Sequence, residues 1–510
     1  MTIDNHAACY AAFQSKDSRF DGHFFVGVTS TGIYCRPVCR ARLPRPENCT
    51  FFKTAAEAER AGFRPCLLCR PELAPGCAPM APATRLRTCS AVPQTGTGCA
   101  PVDASHRLAV LAAKQLEEHC GSIESLEELA ASLGCTARHL RRVFREEYRV
   151  SPVEYLQTCR LLLAKSLLTD TGLSVLEAAM ASGFGSLRRF NALFQARYHL
   201  SPTSLRRQTG GAVKQEGQGI ALFLGYRPPY GWDRLLAFLA LRAIPGVEAV
   251  RENAYYRTVR LVKRDGAEVC GWIKAENMPG QNALRVTVSA SLLAVLPQTL
   301  ARVKELFDLS CDPNRICETL QTMDALKPGL CAPGVRVPGC FDPFEMAVRT
   351  ILGQQITVKG ATTLAGRIAR ELGTPIRTEV DGLTHLFPTA QDICGLEEPV
   401  SARLGPLGMI AARSNTISAL AGKLSDGSIR LAAGADPERT AAQLMEIPGI
   451  GAWTAHYMVM RALGWTDAFL ETDYGIKKAL APRKGKEILA LAESWRPWRS
   501  YAMMNLWNSL

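Results

Sequence analysis

Two cysteine pairs carry the first chemistry in this chain, Cys35-Arg-Pro-Val-Cys39 and Cys66-Leu-Leu-Cys69. Pairs spaced this closely can close a tetrahedral Zn²⁺ site, and on spacing alone such a site is structural. Cys9 and Cys49 lack the paired spacing and read as small buried apolar residues. A second constellation lies in Leu444–Lys478. There Pro448-Gly449-Ile450-Gly451 turns the chain between two helical runs, and Trp453 and Tyr457 share one face of the second run. Asp473 follows, just before another short helical stretch. Gly449 and Gly451 leave bare backbone N–H groups at a helix start, where the positive end of the dipole suits a phosphate. Phosphate grip, aromatic face and lone carboxylate fit chemistry on a base in DNA. Alone, Asp473 would read as a helix N-cap.

These residues sit in a chain of 510 residues, enough for three or four domains with their own cores. The hydrophobic fraction of 47% is ordinary for a globular protein. A net charge of +13 favours a polyanionic partner, nucleic acid first. Charge alone leaves open a basic enzyme that never meets DNA. No apolar run is long enough to span a bilayer, so no membrane partner is expected. The opening MTIDNHAACYAAF has no basic end followed by an apolar core, so no signal peptide is expected. The eighteen cysteines then read as reduced thiols, some of them metal ligands. The expected setting is a bacterial cytoplasm, and the expected state a monomer.

The expected fold class is multidomain, mainly α with α+β parts. Residues 1–73 form the cysteine module. Residues 74–104, rich in Pro, Ala, Gly and Thr with GCAP at Gly76–Pro79 and Gly98–Pro101, read as a flexible linker or insertion. Cys77, Cys89 and Cys99 within it have no assigned role. Across 105–208, SLEELAASLGCTARHLRRVFREEY and VLEAAMASGFGSLRRFNALFQARYHLSP each show helical period, a glycine turn and a basic second helix. They read as tandem helix-turn-helix units whose second helices, bearing Arg138, Arg141, Arg188 and Arg189, enter successive major grooves. Phe190 and Phe194 have core spacing. Residues 220–312 alternate like strands in YYRTVRLVK and ALRVTVSA between helical stretches, and 313–510 read as helical.

Four blocks, LFLGYRPPYGWDRLLAFLALRAIPGVE, RVPGCFDPFEMAVRTILGQQIT, IPGIGAWTAHY and WRPWRSYAMMNLW, resemble AlkA-type 3-methyladenine DNA glycosylases of the helix-hairpin-helix, Gly/Pro-Asp superfamily. RFDGHFFVGVTSTGIYCRPVCRAR and AGFRPCLLCRP resemble the methyl-phosphotriester repair module of Ada. The second helix-turn-helix, with Ala179, Gly183-Phe184, Ser186 and Ser201-Pro202, resembles the AraC-family signature.

The Ada resemblance implies that Cys35 takes a methyl group from an alkylated DNA phosphate while Cys39, Cys66 and Cys69 complete the zinc site. Methylating one sulfur would reduce the negative charge of a four-thiolate site from about −2 to about −1 and tighten DNA binding. Arg36, Arg40, Arg42 and Arg45 are candidate phosphate contacts, or else a solvated basic face. The AlkA resemblance implies a small α+β domain over 220–312 and a helix-hairpin-helix domain over 313–510. It also implies that Asp473 is the catalytic carboxylate, with Trp453, Tyr457 and Trp507 lining a pocket for an extruded base. Methylation makes the purine cationic, so electron-rich rings attract it and it leaves without a strong general acid. Gln355 stands where some relatives have a leucine wedge. The chain ends three residues after Trp507, a second departure. No lysine adjoins Asp473 in a Schiff-base position, so a monofunctional enzyme is expected. No PCHR-type motif occurs, so no guanine-O6 methyltransferase is expected. Expected partners are double-stranded DNA, damaged and operator, and RNA polymerase. The rival is a regulator whose glycosylase half only binds DNA.

Overall fold

The computed structural model describes residues 5–76, 101–123, 125–208, 219–432 and 434–510. It divides into two compact units, residues 1–215 with 294–301 and residues 216–293 with 302–510. Cys77, Cys89 and Cys99 lie outside the described residues.

The first unit opens with a four-stranded sheet. Its strands are β1 Phe25–Val28, β2 Ile33–Cys35, β3 Cys49–Phe52 and β4 Arg64–Pro65, in the order β3-β1-β2-β4. Helix α1 His6–Gln14 places Cys9 and Phe13 in one core with Val26 and Phe51, whereas α2 Ala55–Arg60 places Ala58 with Phe25, Tyr34 and Phe52. Successive strand residues thus serve opposite faces, as the pleat requires. At Gly27 a Cβ would meet the Phe52 ring at 2.6 Å, so only a bare backbone lets that ring close over the strand.

Among the described residues seven helices follow: α3 Pro101–Glu118, α4 Leu126–Ser132, α5 Ala137–Tyr148, α6 Pro152–Asp170, α7 Val175–Ala181, α8 Leu187–Tyr198 and α9 Pro202–Gln208. The start of α3 lies inside the stretch expected to be linker. Ser125, Thr136, Ser151, Ser174 and Ser186 cap the N-termini of α4 to α8 by accepting from backbone N–H groups of their own first turns. Each such cap contributes about 1 kcal/mol. The turns between α4 and α5 and between α7 and α8 use Gly134 (φ +69°) and Gly183 (φ +86°). At Gly183 a Cβ would lie 2.6 Å from the Cys120 carbonyl oxygen. Phe190 and Phe194 are fully buried in a ladder of rings from Phe184 to Tyr198.

The cysteine module packs on these helices through buried polar and ionisable groups. Glu59 of α2, 3% exposed, accepts from Thr158 Oγ1 of α6 at 2.8 Å and from the Tyr34 hydroxyl at 3.1 Å. Lys165, a lone cation in the apolar run of α6 and 1% exposed, donates to both oxygens of Glu72 at 2.6 Å. Arg70 bridges Glu72 at 2.9 Å and Asp170 at 2.6 Å.

The second unit begins with a five-stranded antiparallel sheet: β5 Gly219–Gly225, β6 Glu248–Arg251, β7 Ala254–Val262, β8 Glu268–Met278 and β9 Ala283–Ser289, ordered β5-β9-β8-β7-β6. The rest is mainly helical, which bears out the expected fold class. A buried polar knot ties the two parts together. Asp308 accepts from the Tyr501 hydroxyl at 2.9 Å and from Val337 N at 3.2 Å, and Arg336 donates to the Arg227 carbonyl at 2.8 Å. Burial pushes the Asp308 carboxyl up to about 6, against the pull of Arg336. Tyr501 lies on the helix Arg499–Asn508, so this knot fixes the element that carries Trp507. Among the described residues, no helix is long and apolar enough to cross a membrane.

Candidate functional site

In the first unit, parallel pairing of β2 with β4 sets Tyr34 opposite Pro65, and Cys66 N donates to the Tyr34 carbonyl at 3.0 Å. That contact brings together two cysteine pairs far apart in sequence. The ligand sulfurs of Cys35, Cys39, Cys66 and Cys69 lie within 4.8 Å of one another. A tetrahedral set bound to zinc at about 2.3 Å would have sulfurs roughly 3.8 Å apart, so the cluster fits the ion. Cys35, Cys39 and Cys66 are buried and Cys69 is half-exposed, so exposure alone would rank Cys69 before Cys35 as an acceptor. Cys9 and Cys49 are buried in the adjoining core.

Arg36 is not placed to hold a phosphate. It is buried, its guanidinium donates to both oxygens of Asp21, and its backbone N–H donates to Cys69 Sγ at 3.3 Å. The ion pair with Asp21 satisfies a cation that could not otherwise be buried. Arg40, Arg42 and Arg45 are exposed. Arg138 and Arg141 on α5, and Arg188 and Arg189 on α8, are also exposed, with Arg141 paired to Glu127 at 3.0 Å.

In the second unit, the helices Pro437–Met445 and Ala452–Leu463 flank the Pro-Gly-Ile-Gly turn. Gly449 has φ +91°, and a Cβ there would lie 2.2 Å from Thr416 Oγ1. Thr416 Oγ1 donates to the Pro448 carbonyl at 2.8 Å, and Gln354 Nε2 donates to the Gly449 carbonyl at 2.8 Å. Gly451 is the N-cap of the second helix, supplies no side-chain cap, and a Cβ on it would meet only open space. The helix start therefore faces outward with backbone donors, the arrangement that suits a phosphate.

Down that helix, the rings of Trp453 and Tyr457 stack with centroids 5.2 Å apart and planes 5° from parallel. Trp507 stands across from Tyr457 at 6.4 Å. Asp473 caps the helix Tyr474–Ala479 through Ile476 N at 2.9 Å, and its carboxylate also accepts from Trp453 Nε1 at 3.1 Å and Trp507 Nε1 at 2.9 Å. The acid is therefore both an N-cap and part of the aromatic site, and it remains half-exposed.

Gln355 is exposed at the turn between the helices Pro343–Leu352 and Val358–Leu372, with φ +57°. A non-glycine residue in that region carries backbone strain. Beside it Ile356 and Val358 are 37% and 43% exposed, so the loop also offers apolar side chains that the focus on Gln355 overlooked.

Sequence reasoning also missed a cationic cluster behind the rings. Arg461, one turn beyond Tyr457 and 2% exposed, donates to the Tyr457 hydroxyl at 2.7 Å and to the Gly339 carbonyl at 2.7 Å. Burial alone would raise Tyr457, but Arg461, Arg242 and Arg349 bring it down to about 8. The signal was a lone arginine in the apolar run YMVMRAL.

Comparison with known proteins gives three family matches. The metal binding domain of Ada matches residues 8–72, a helix-turn-helix domain matches 129–208, and the AlkA N-terminal domain matches 221–342. A Mycobacterium tuberculosis protein named "Probable bifunctional transcriptional activator/DNA repair enzyme AlkA" is 35% identical over 99% of this chain and 97% of its own length. DNA-3-methyladenine glycosylase 2 of Escherichia coli is 34% identical over 56% of this chain and 95% of its own. The bifunctional transcriptional activator/DNA repair enzyme AdaA of Bacillus subtilis is 27% identical over 39% of this chain and 82% of its own. With a full-length relative, an Ada metal-binding domain and an AlkA N-terminal domain in a single polypeptide, the chain belongs to the family of bifunctional transcriptional activator/DNA repair enzymes of the AlkA type.

Proposed function

We propose that this chain is a DNA alkylation repair and response protein of the cytoplasm, in which a monofunctional alkylpurine glycosylase is fused to a methyl-accepting, sequence-specific DNA-binding regulator. One observation carries the enzyme reading: a half-exposed carboxylate, Asp473, held between the indoles of Trp453 and Trp507 near an outward-facing helix start. Gly449, Gly451 and the helix start grip a phosphate, and the turn at Gln355 and Ile356 fills the gap left by the extruded nucleotide. A methylated purine stacks on the rings of this aromatic cluster. The N-glycosidic bond then breaks with its electron pair passing to the cationic base, which leaves neutral. Asp473 stabilises the positive charge that builds on the sugar, and water adds at C1′ as its proton passes to the carboxylate.

In the first unit, zinc held by Cys35, Cys39, Cys66 and Cys69 would keep the thiolates deprotonated. Cys35 Sγ attacks the methyl carbon of a phosphotriester, forming S–C as C–O breaks and leaving a phosphodiester anion. Arg138, Arg141, Arg188 and Arg189 face the DNA, which is the partner of both parts.

The test is excised-base analysis with the intact protein on methylated duplex. Release of 3-methyladenine and 7-methylguanine is expected, and no release leaves the rival in which this half only binds. Peptide mass mapping of the same reaction should place the methyl group on Cys35. Methyl on Cys69 moves the acceptor, and none on any cysteine removes the sensor.

A further inference from the structure

The proposed chemistry needs the Asp473 carboxylate fixed in one orientation, and its hydrogen bonds show how that is done. Oδ1 accepts from Ile476 N and Trp507 Nε1, both at 2.9 Å, while Oδ2 accepts from Trp453 Nε1 at 3.1 Å. An ionised carboxylate has about two acceptor directions on each oxygen. Both directions of Oδ1 are used, and Oδ2 has one left. Indole N–H is a donor only, so each tryptophan places its polar edge on the acid. Gly475 leaves the room for this. A Cβ there would lie 3.1 Å from Asp473 Oδ1, 3.1 Å from Trp507 Cδ1 and 3.3 Å from Leu510 Cδ1, closer than ordinary van der Waals contact.

We infer that Trp453 and Trp507 are positioning residues for Asp473, that the bare backbone of Gly475 admits Trp507 to this role, and that Oδ2 is the oxygen presented to the sugar and water. This rests on the glycosylase reading above and deepens it. The rings therefore have two tasks, stacking on the base through their faces and orienting the acid through their N–H groups. Trp→Phe substitutions separate the two, because phenylalanine keeps a stacking face and lacks the donor.

The experiment is a double-mutant cycle on the full chain, using single-turnover release of 7-methylguanine at saturating duplex. Trp507→Phe and Trp453→Phe are each expected to slow release about tenfold to hundredfold, the effect of a reacting group misplaced by about 1 Å. Binding to a duplex with an uncleavable abasic analogue should be kept. In an Asp473→Asn background the same substitutions should cost almost nothing further. Equal costs in both backgrounds, or a loss that appears in binding alone, overturn the positioning role. Rapid release by Asp473→Asn itself would instead sink the glycosylase reading. If a Trp→Phe variant fails to fold, Gly475→Ala decides, since it keeps all three side chains. It should lower kcat about tenfold with KM unchanged, and an unchanged kcat is the contrary result. A readout free of activity is the indole ¹H–¹⁵N resonances. Asp473→Asn should shift those of Trp453 and Trp507 while the other tryptophans stay put, and no shift in either overturns the clamp.

Discussion

Replacing Glu59 by Gln tests how the cysteine module is seated on the DNA-binding helices. Burial pushes the Glu59 carboxyl up to about 7, against an ordinary value of 4.5, with Thr158 and Tyr34 pulling it down only in part. The unfolded chain loses this proton near 4.5 and the folded chain holds it to about 7, so the folded state binds more protons in between. Stability from this group is thus full below the unfolded value, falls as pH rises, and is gone above the folded value. At about 1.4 kcal/mol per unit, the swing approaches 3 kcal/mol across the window and about 2 kcal/mol between pH 5.5 and 7. Because the side chain is almost wholly buried, solvent screening reduces this little. Glutamine keeps an acceptor for Thr158 and Tyr34 and cannot ionise. Amide hydrogen exchange of α2 and α6 in the intact zinc-loaded protein reports the local opening energy of each variant. Taking the difference between variants cancels the pH dependence of metal binding. The Gln variant should gain about 2 kcal/mol on the wild type from pH 5.5 to 7. A difference flat with pH would refute the reasoning and mean that Glu59 is ionised in the folded chain throughout.

Three further outcomes follow from the geometry. Lys165→Met leaves Glu72 buried with Arg70 alone, and loss of one partner of a buried pair costs about 3–5 kcal/mol, read as faster proteolysis of the cysteine module. Gly449→Ala forces a side chain into a left-handed turn against Thr416 and should weaken binding to an abasic-analogue duplex on the order of tenfold or more, measured by titration. Arg188→Ala with Arg189→Ala should lower the salt dependence of operator binding by about one unit of slope for each phosphate left without its arginine, with the log–log plot as the check.

The parts of this molecule that show in the sequence are those whose signal is local. Cysteine spacing located the Cys35–Cys69 cluster, because a metal knuckle is a property of a few consecutive residues. Helical period, glycine turns and basic second helices located the helix-turn-helix units for the same reason. Trp453 and Tyr457 fell on one face by helical period alone. What was hidden depends on partners far away in the chain. Arg36 looked like a phosphate contact until the fold brought Asp21 against it. Glu59 and Lys165 gave no hint of their partners, because the sequence beside an ionisable residue does not say what the fold will pack against it. Gly475 gave no signal either, since its role is the absence of a Cβ where the indole of Trp507 arrives from the last helix. The surroundings of Asp473 were hidden likewise: N-cap and site acid looked like alternatives in the sequence, and in the structure the N-cap carboxylate also accepts from the indoles of Trp453 and Trp507.

In the proposed reaction the Asp473 carboxylate stabilises a sugar from which a methylated purine departs. Single-turnover release of 7-methylguanine by Asp473→Asn, alongside its affinity for an abasic-analogue duplex, tests that role most directly. The rate should fall at least a hundredfold, on the order expected for removing a preorganised charge from a transition state, with affinity retained. Release at the wild-type rate with intact binding would contradict that role.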